Sequence, residues 1–509
     1  MTQFINKRFS VLFVLSCIPI ALSYYFFLGQ SLRLDESQSL WQISRNVPDI
    51  FAIVAADVHV PLYHLLLHFW VLFFGNTITV ARTMSLFFYC ISIPALYLLG
   101  SKAYSRPVGL FAAFLFSVSP FMNWYGNEIR MYTLFTFFVI LNQYFFIQIF
   151  KQPSKDSTET GMTLTRTHVW IGFIVTAVAG VFSHYFFLLM LAAQMTFYFL
   201  RQDLFPPGSL WRFVLATVII SASLAPWAWY VLHLGQAVFQ EPTLIMPTTV
   251  NLFSTFSQFI FGFQNDNLNT FFLSLWPVTV IFALFTLQRG KRMLPETEYF
   301  LVSIIVPFTL AFLGSFIVAP IFVSRYLIFT VPSLYLLLAS LFSNYPRHVA
   351  VTAQCALAAL MILTLRLEII NPTTPVKENY EQATAFLNTH ATAQDVIVLT
   401  APFTVYPVQY YYRGPAPITT LPVWNQYAYG PIPPFSEQTF PQDLTQVTAN
   451  SQNVYLLLSY NQGYEAIIHT YFESHYQRIY QEKYSTDLNL YVYKLRYDTT
   501  LSAAPLRLK

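Results

Sequence analysis

SVLFVLSCIPIALSYYFFLGQSL, residues 10–32, is the first of the long apolar runs that decide the fold class of this chain. The run carries no charged side chain and follows directly after Lys7 and Arg8. A helix needs about 20 predominantly apolar residues to cross the hydrocarbon core of a bilayer. The run also lacks the small-residue cleavage site of a removable signal peptide. We therefore predict a retained first transmembrane helix whose N-terminus lies in the cytoplasm, the side that basic residues prefer.

The composition of the whole chain points to the same class. Of its 509 residues, 55% are hydrophobic and only 10% are charged, whereas about 25% of the residues in a soluble domain are charged. So few charges cannot cover a water-soluble particle, which excludes a soluble enzyme. The net charge of +4 is too small to indicate a polyanionic partner, so no nucleic acid is expected.

Further apolar segments predict a polytopic α-helical membrane protein with about eleven transmembrane helices. After the first run, their approximate ranges are 83–101, 107–122, 131–150, 168–184, 186–201, 212–232, 270–288, 299–319, 326–344 and 348–366. The helix boundaries within 167–200 are the least defined, because two short helices must share one uncharged stretch.

The segment 58–81 is also uncharged, but orientation assigns it to the outer surface. If it crossed the bilayer, basic loops such as Lys102–Arg106 and Arg289–Arg292 would lie outside, against the positive-inside rule. We therefore expect a large first outer loop at 30–81, with an interfacial amphipathic helix over Asp57–Phe74.

The chain is expected to form a transmembrane domain at 1–366 and an extracytoplasmic domain at 367–509. The patterns in the second domain predict a small α/β fold with a helix at 380–388, buried strands at 395–400 and 453–459, a helix at 463–474 and a closing hairpin at 476–495. The Pro- and Tyr-rich segment 400–441 is expected to be an irregular loop. Because this domain contains no nucleophile motif or Gly-rich phosphate loop, acceptor recognition or a lid is its expected role.

Four local sequences of the transmembrane domain contain charged residues that are expected on its outer face: LRLDESQS (32–39), DVHVPLYHLLLHFW (57–70), NWYGNEIRMYTL (123–134) and RYLIFTVP (325–332). Their order and spacing resemble the bacterial glycosyltransferase family 39 proteins, and the resemblance covers essentially the whole chain. Relatives of that family in the C-type glycosyltransferase superfamily are the protein O-mannosyltransferases and the lipid A aminoarabinose transferase. Val60 departs from the pattern, because the family usually has a second proline after the histidine.

The resemblance implies a membrane enzyme of cell envelope glycosylation. Such proteins transfer a hexosyl or pentosyl group from a polyprenyl-phosphate donor to a lipid, glycan or protein acceptor on the non-cytoplasmic face, with inversion at the anomeric carbon. It further implies a multi-pass protein of the bacterial plasma membrane with its C-terminal domain outside. Asp35 matches the acidic residue of the family's first outer loop, and is the expected catalytic base.

The chemistry of that reaction independently calls for arginine. A lipid-phosphate leaving group departs as an anion, so it needs cationic stabilisation rather than protonation. The planar guanidinium group binds phosphate through two parallel hydrogen bonds and stays charged. Arg130 and Arg325 are therefore the expected donor-phosphate ligands. Arg82 is a further candidate, although an anchoring role at the start of its helix is the stronger interpretation.

Further catalytic or sugar-binding candidates lie beside these residues: Glu36, Asp57, His59, Glu128 and Tyr132. Each main assignment has a structural alternative. Asp35 can cap a helix or pair with Arg33, Glu128 can pair with Arg130, and Arg325 can anchor the outer end of a helix.

The histidines at 59, 64 and 68 raise the question of a metal. His64 and His68 are four residues apart on one helical face, which is a permitted ligand spacing, but the HExxH pattern is absent. We expect no metal and no cofactor. Two competing functions remain open, a transporter or flippase for a lipid-linked sugar and an inactive membrane scaffold. The absence of a visible internal repeat disfavours the transporter.

Overall fold

The computed structural model describes residues 2–24, 28–151, 166–234, 246–275, 293–370, 378–428, 431–449 and 451–495. The chain divides into two compact units. The first combines Met1–Gln30 with Gln42–Pro375, and the second combines Ser31–Trp41 with Val376–Lys509.

The described part of the chain up to residue 370 is built from helices. Numbered in chain order, the α-helices are α1 Thr2–Leu22, α2 Leu34–Ile43, α3 Val47–Ala56, α4 Leu62–Phe74, α5 Ile78–Ala103, α6 Arg106–Ser117, α7 Pro120–Gly126, α8 Tyr132–Phe150, α9 Arg166–Ser183, α10 Phe187–Leu200, α11 Ser209–Leu234, α12 Thr249–Phe261, α13 Asp266–Ser274, α14 Pro295–Ile317, α15 Val331–Phe342 and α16 Arg347–Ile370. Two 3-10 helices lie at Gln202–Leu204 and Ser324–Thr330.

Among the described residues, six helical segments are long and apolar enough to cross a membrane, and a bent pair formed by α6 and α7 would make a seventh. All of them coincide with predicted crossings, so the polytopic helical class is confirmed. Three shorter apolar helices, Ser10–Leu22, Thr167–Ser183 and Phe187–Leu200, match further predicted crossings. The predicted crossing at 270–288 lies largely outside the described residues, and the total of eleven stays a prediction.

Buried amide groups tie the central helices of the first unit together. Gln194 of α10 donates to the Asn142 side chain of α8 at 2.8 Å and to the Tyr299 hydroxyl of α14 at 3.2 Å. Gln143 of α8 donates to the Ser333 hydroxyl of α15 at 2.8 Å. Hydrogen bonds between side chains on neighbouring helices are a common means of fixing helix packing in membranes.

The segment between α2 and α5 contains two short apolar helices, α3 and α4. Because α4 has 13 residues, it is about 20 Å long, which is less than the ~30 Å of a bilayer core. This length agrees with the predicted interfacial helix. Its predicted start at Asp57 is wrong, since the chain turns at Val58 with φ +52° and the helix begins only after Pro61.

The second unit contains a five-stranded sheet in the order β2-β1-β3-β5-β4. Its strands are β1 Val396–Leu399, β2 Ile418–Thr420, β3 Asn453–Leu458, β4 Gln477–Ser485 and β5 Leu488–Lys494. β1 pairs in parallel with β2 and β3, whereas β5 is antiparallel to β3 and β4. The predicted buried strands and closing hairpin are therefore confirmed.

Helices cover the sheet at α17 Tyr380–His390, α18 Val405–Tyr411, α19 Phe440–Thr448 and α20 Glu465–His475. Short 3-10 helices lie at Pro402–Thr404 and Gln426–Ala428. The expectation of an irregular loop over 400–441 is wrong, because this segment contains α18 and the edge strand β2. With only three residues, β2 is too short to produce a recognisable alternation of apolar and polar residues.

Each face of the sheet carries its own hydrophobic cluster. Ile397 and Leu399 of β1 point into one cluster, and Val396 and Val398 point into the other. This is the alternation that a strand buried on both faces requires. Leu34 and Trp41 pack against the first cluster. Residues 31–41, which the sequence groups with the first outer loop, therefore belong to the core of this unit.

Candidate active site

The first unit brings Asp57, His59 and Arg130 together, although 71 residues separate the last two. Nδ1 of His59 lies 2.7 Å from the Asp57 carbonyl oxygen and 3.3 Å from its carboxylate. Nη2 of Arg130 lies 3.2 Å from Nε2 of the same imidazole. A guanidinium can only donate, so the network assigns the proton of a neutral imidazole to Nδ1 and leaves Nε2 to accept from Arg130.

The turn that carries His59 is held by side chains from outside it. Gln42 donates to the Asp57 carboxylate at 2.9 Å, and the Tyr185 hydroxyl donates to the His59 carbonyl at 3.3 Å. Between Asp57 and His59, the β-branched Val58 adopts a left-handed backbone conformation, which is strained for such a residue. Strain of this kind persists only where the surroundings enforce it, and it clusters at functional sites.

Arg130 lies on the turn between α7 and α8. Its guanidinium-bearing side chain is buried, and its backbone N–H donates to the Glu128 carbonyl at 2.8 Å. The Ser85 hydroxyl on α5 donates to the Arg130 carbonyl at 3.2 Å, and the Thr133 hydroxyl donates to the Ser85 carbonyl at 2.8 Å. The backbone of this turn is therefore fastened to α5, which fixes the root of the arginine side chain.

Glu128 and Tyr132 flank Arg130 and are both buried. The Tyr132 ring meets the Tyr125 ring edge-on, with 5.0 Å between the ring centroids. The predicted candidates of NWYGNEIRMYTL thus lie on one buried turn, where a carboxylate and a phenol accompany the guanidinium.

Arg325 and His184 lie close to the same cluster. The Arg325 guanidinium carbon is 5.5 Å from the centre of the Tyr326 ring, whose centroid is 5.4 Å from that of the His184 imidazole. His184 in turn stacks on Phe135 with 5.0 Å between the ring centroids. His59, Arg130 and Arg325 are all near enough to act on the His184 imidazole electrostatically. The two predicted phosphate ligands therefore share one neighbourhood.

His64 is packed inside the protein rather than exposed at the membrane surface. It is buried, and its ring meets the His59 ring edge-on with 6.2 Å between the centroids. Burial lowers the pKa of His64 well below its ordinary value, and the electrostatic influence of His59 and Arg130 lowers that pKa further. A neutral His64 adds no positive charge to the cluster.

An apolar cavity of about 380 Å³ adjoins this polar cluster. Its walls include Pro61, Phe182 and Trp227. The Trp227 indole donates to the Tyr185 hydroxyl at 3.1 Å, and that hydroxyl in turn donates to the His59 carbonyl. A hydrogen-bonded chain thus joins the cavity wall to the turn beside Arg130.

In the second unit, Asp35 and Glu36 occupy the first turn of α2, where the helix dipole favours carboxylates. Glu36 is fully buried, and its carboxylate accepts a hydrogen bond from the Arg33 backbone N–H at 3.0 Å. That is the reciprocal contact of a capping box. Asp35 is only half-buried. The structure therefore favours a capping role for Glu36.

The hydrogen bonds of Arg82 indicate a structural role. The side chain is fully buried, and Nη1 donates to the Gln30 carbonyl at 2.7 Å and to the Leu28 carbonyl at 3.4 Å. These bonds favour the anchoring interpretation.

Gln42 and Tyr185 support the site but are not singled out by the sequence. Gln42 is an ordinary polar position of an amphipathic helix, and its bond to Asp57 spans 15 residues. Tyr185 gives a single weak signal, which is its position next to His184 in the sequence.

The histidines are not arranged as a metal site. Nδ1 of His68 donates to the Ile43 carbonyl at 2.8 Å, so this ring nitrogen already has a partner within the protein. Within the described ranges, no group of three or more His, Cys, Asp or Glu side chains is suited to hold a metal ion.

We predict that purified protein contains only substoichiometric zinc and manganese, and that its activity survives exhaustive treatment with a chelator. Elemental analysis by mass spectrometry checks the first point. One bound metal ion per chain, lost in His59→Ala but kept in the control His348→Ala on α16, would contradict this expectation.

Solved structures provide the comparison with known proteins. ArnT from Cupriavidus metallidurans in the apo state matches with a TM-score of 0.63 at 10% identity, over 96% of this chain and 98% of that chain. ArnT from the same organism bound to undecaprenyl phosphate gives 0.59 at 13% identity, over 99% and 100%. The Archaeoglobus fulgidus oligosaccharyltransferase AglB, in complex with an inhibitory peptide and a dolichol-phosphate, gives 0.51 at 12% identity, over 88% and 69%. No family model matches the sequence, and no curated protein matches it significantly.

At such low identities the likeness concerns the fold. The match extends over both units of this chain. The chain therefore shares the fold of ArnT and AglB, while membership of family 39 stays a prediction.

Proposed function

We propose that this protein is a membrane glycosyltransferase that moves a sugar from a polyprenyl-phosphate donor to an acceptor on the non-cytoplasmic face, with inversion at the anomeric carbon. The observation that carries the proposal is the partly buried Arg130–His59–Asp57 chain beside an apolar cavity. A cationic, hydrogen-bonding cluster next to an apolar cavity has the chemistry of a lipid phosphate, which joins an anion to a hydrocarbon chain.

The comparisons support a donor of this class. ArnT was solved with undecaprenyl phosphate and AglB with a dolichol-phosphate, both of which are polyprenyl phosphates. The resemblance of the outer-face sequences to family 39 points to the same donor. We extend the proposal to membership of that family, and to a bacterial plasma membrane with the N-terminus in the cytoplasm and the C-terminal domain outside.

In the proposed reaction, an acceptor hydroxyl or amine attacks the anomeric carbon while its proton passes to the Asp35 carboxylate. The bond between the anomeric carbon and the phosphate oxygen breaks, and the polyprenyl phosphate leaves with both electrons of that bond. Arg130 and Arg325 stabilise the charge on the departing oxygen. Inversion follows because a single displacement exchanges the two groups on opposite sides of the carbon.

His59 orients Arg130 in this scheme. Its Nε2 accepts one guanidinium N–H, and its Nδ1 is held by Asp57. Glu128 and Tyr132, on the same turn, are suited to contact the sugar hydroxyls. The apolar cavity beside Trp227 is suited to bind the first isoprene units of the donor. Burying their apolar surface there stabilises the bound donor by about 25 cal/mol per Å².

Release of free polyprenyl phosphate tests the proposal. Purified protein in detergent or vesicles is incubated with a panel of undecaprenyl-phosphate-linked hexoses and pentoses, and we expect one of them to be converted to undecaprenyl phosphate. Neither a flippase nor a scaffold breaks the bond between sugar and phosphate.

Protein-free vesicles and heat-inactivated protein are the controls. Transfer of an intact donor from one leaflet to the other, without release of undecaprenyl phosphate, would establish the flippase instead.

A further inference from the structure

Residues 31–41, which carry Asp35, are held at both ends by contacts with residues 376–509 of the second unit. At its start, the Leu32 backbone N–H donates to the Tyr411 hydroxyl at 2.9 Å. At its end, the Trp41 ring lies 5.1 Å from the Tyr406 ring and 5.8 Å from the Tyr427 ring, measured between centroids. The contacts bridge more than 350 residues of sequence, as the separation of 379 between Leu32 and Tyr411 illustrates.

Glu378 is a buried carboxyl near Arg33. Only 4% of Glu378 is exposed, and burial raises the pKa of its carboxyl, while the Tyr460 hydroxyl and the positive charge of Arg33 oppose that rise. Tyr460 itself adopts a left-handed backbone conformation with φ +57°. This is a strained position for a bulky residue, and such strain persists only where the surrounding structure enforces it.

Arg33 also contacts the start of α2. Its backbone N–H donates to the Glu36 carboxylate, and its charge acts on the buried Glu378 carboxyl.

We propose that residues 376–509 of the second unit position the catalytic base, with Tyr411 as a positioning residue that acts through Leu32 on Asp35. This inference rests on the proposed function. Residues 376–509 then contribute to the chemical step, whereas their sequence suggests acceptor recognition or a lid.

Tyr411→Phe in the full-length protein removes one hydroxyl and is the primary test. Turnover is measured with the undecaprenyl-phosphate sugar that is consumed in the release assay. Because a displacement of about 1 Å at a reacting group costs about 100-fold in rate, we expect kcat to fall about 10- to 100-fold with the donor KM unchanged.

Tyr412→Phe is the matched control. The Tyr412 hydroxyl accepts a hydrogen bond from the Ala416 backbone N–H at 2.9 Å. The variant therefore loses a hydrogen bond of the same kind and length as Tyr411→Phe does, but this bond does not involve residues 31–41. We expect kcat to be unchanged in Tyr412→Phe. Equal losses of kcat in the two variants, with equal falls in Tm, would assign Tyr411 a purely structural role and overturn the proposal.

A double-mutant cycle with Asp35→Asn separates this inference from the function itself. If Tyr411 acts through Asp35, then Tyr411→Phe has no further effect on kcat once the carboxylate is gone. Independent effects that multiply in the double variant would contradict the proposal while leaving Asp35 as the base. Full activity of Asp35→Asn alone would instead remove the base assignment.

Discussion

Asp35→Asn is expected to lower kcat for donor turnover by about 10²- to 10⁴-fold, the usual contribution of a positioned general base. The amide has nearly the same shape as the carboxylate but cannot take the proton of the acceptor. Since Asp35 is not among the residues assigned to the donor phosphate, the donor KM should stay within about twofold, as expected for an interaction made only in the transition state. The measurement is undecaprenyl phosphate released per minute across a range of donor concentrations.

Asp49→Asn is the control for this experiment. Asp49 also lies in the first turn of a short helix, α3, and the substitution removes the same charge. Its kcat should match that of the unchanged protein. Normal turnover by Asp35→Asn would exclude Asp35 as the base, whatever the behaviour of the other carboxylates.

The adjacent pair Asp35-Glu36 illustrates what the sequence can and cannot predict. The sequence marks both as charged residues next to a membrane helix, and the resemblance selects Asp35. Only the folded chain shows that Glu36 is buried and bonded to the Arg33 backbone, while Asp35 is half-buried. The distinction depends on helix capping, which is set by the geometry of three or four residues rather than by their composition.

The helices of the membrane domain were predictable because a hydrophobic run of about 20 residues has few structural alternatives. The contacts of the site were not. His59 and Arg130 meet across 71 residues, and no local pattern specifies such a pairing. The assignment of residues 31–41 to the C-terminal core has the same cause, because the hydroxyl of Tyr411 and the ring of Tyr406 reach them from far along the chain.

The simultaneous change of Arg130→Ala and Arg325→Ala is expected to weaken binding of undecaprenyl phosphate by at least about 100-fold. Each hydrogen bond to a charged group contributes about 1.5–3 kcal/mol, which corresponds to a factor of about 10 to 150 in affinity for each arginine. Arg130 should have the larger effect, because its side chain is buried and its donors are oriented by His59. Titration of the purified protein with undecaprenyl phosphate, followed by thermal shift, gives the dissociation constants.

Arg413→Ala removes one positive charge from an exposed position in the second unit, as each of the two substitutions does at the site. It controls for the general loss of positive charge and should leave the affinity unchanged. Arg130→Lys provides the sharper comparison. Lysine keeps the charge but not the planar pair of donors, and it cannot reproduce the bond to His59 Nε2 while presenting a fork to a phosphate. If charge alone held the phosphate, Arg130→Lys would bind normally. We expect instead that Arg130→Lys binds undecaprenyl phosphate more weakly than the unchanged protein but more tightly than Arg130→Ala. The reason is that the Asp57–His59 chain serves to orient a guanidinium rather than to attract an anion.

Normal affinity in the double alanine variant would exclude both arginines as phosphate ligands, and the Arg130–His59 contact would then be a structural bond between two turns of the membrane domain.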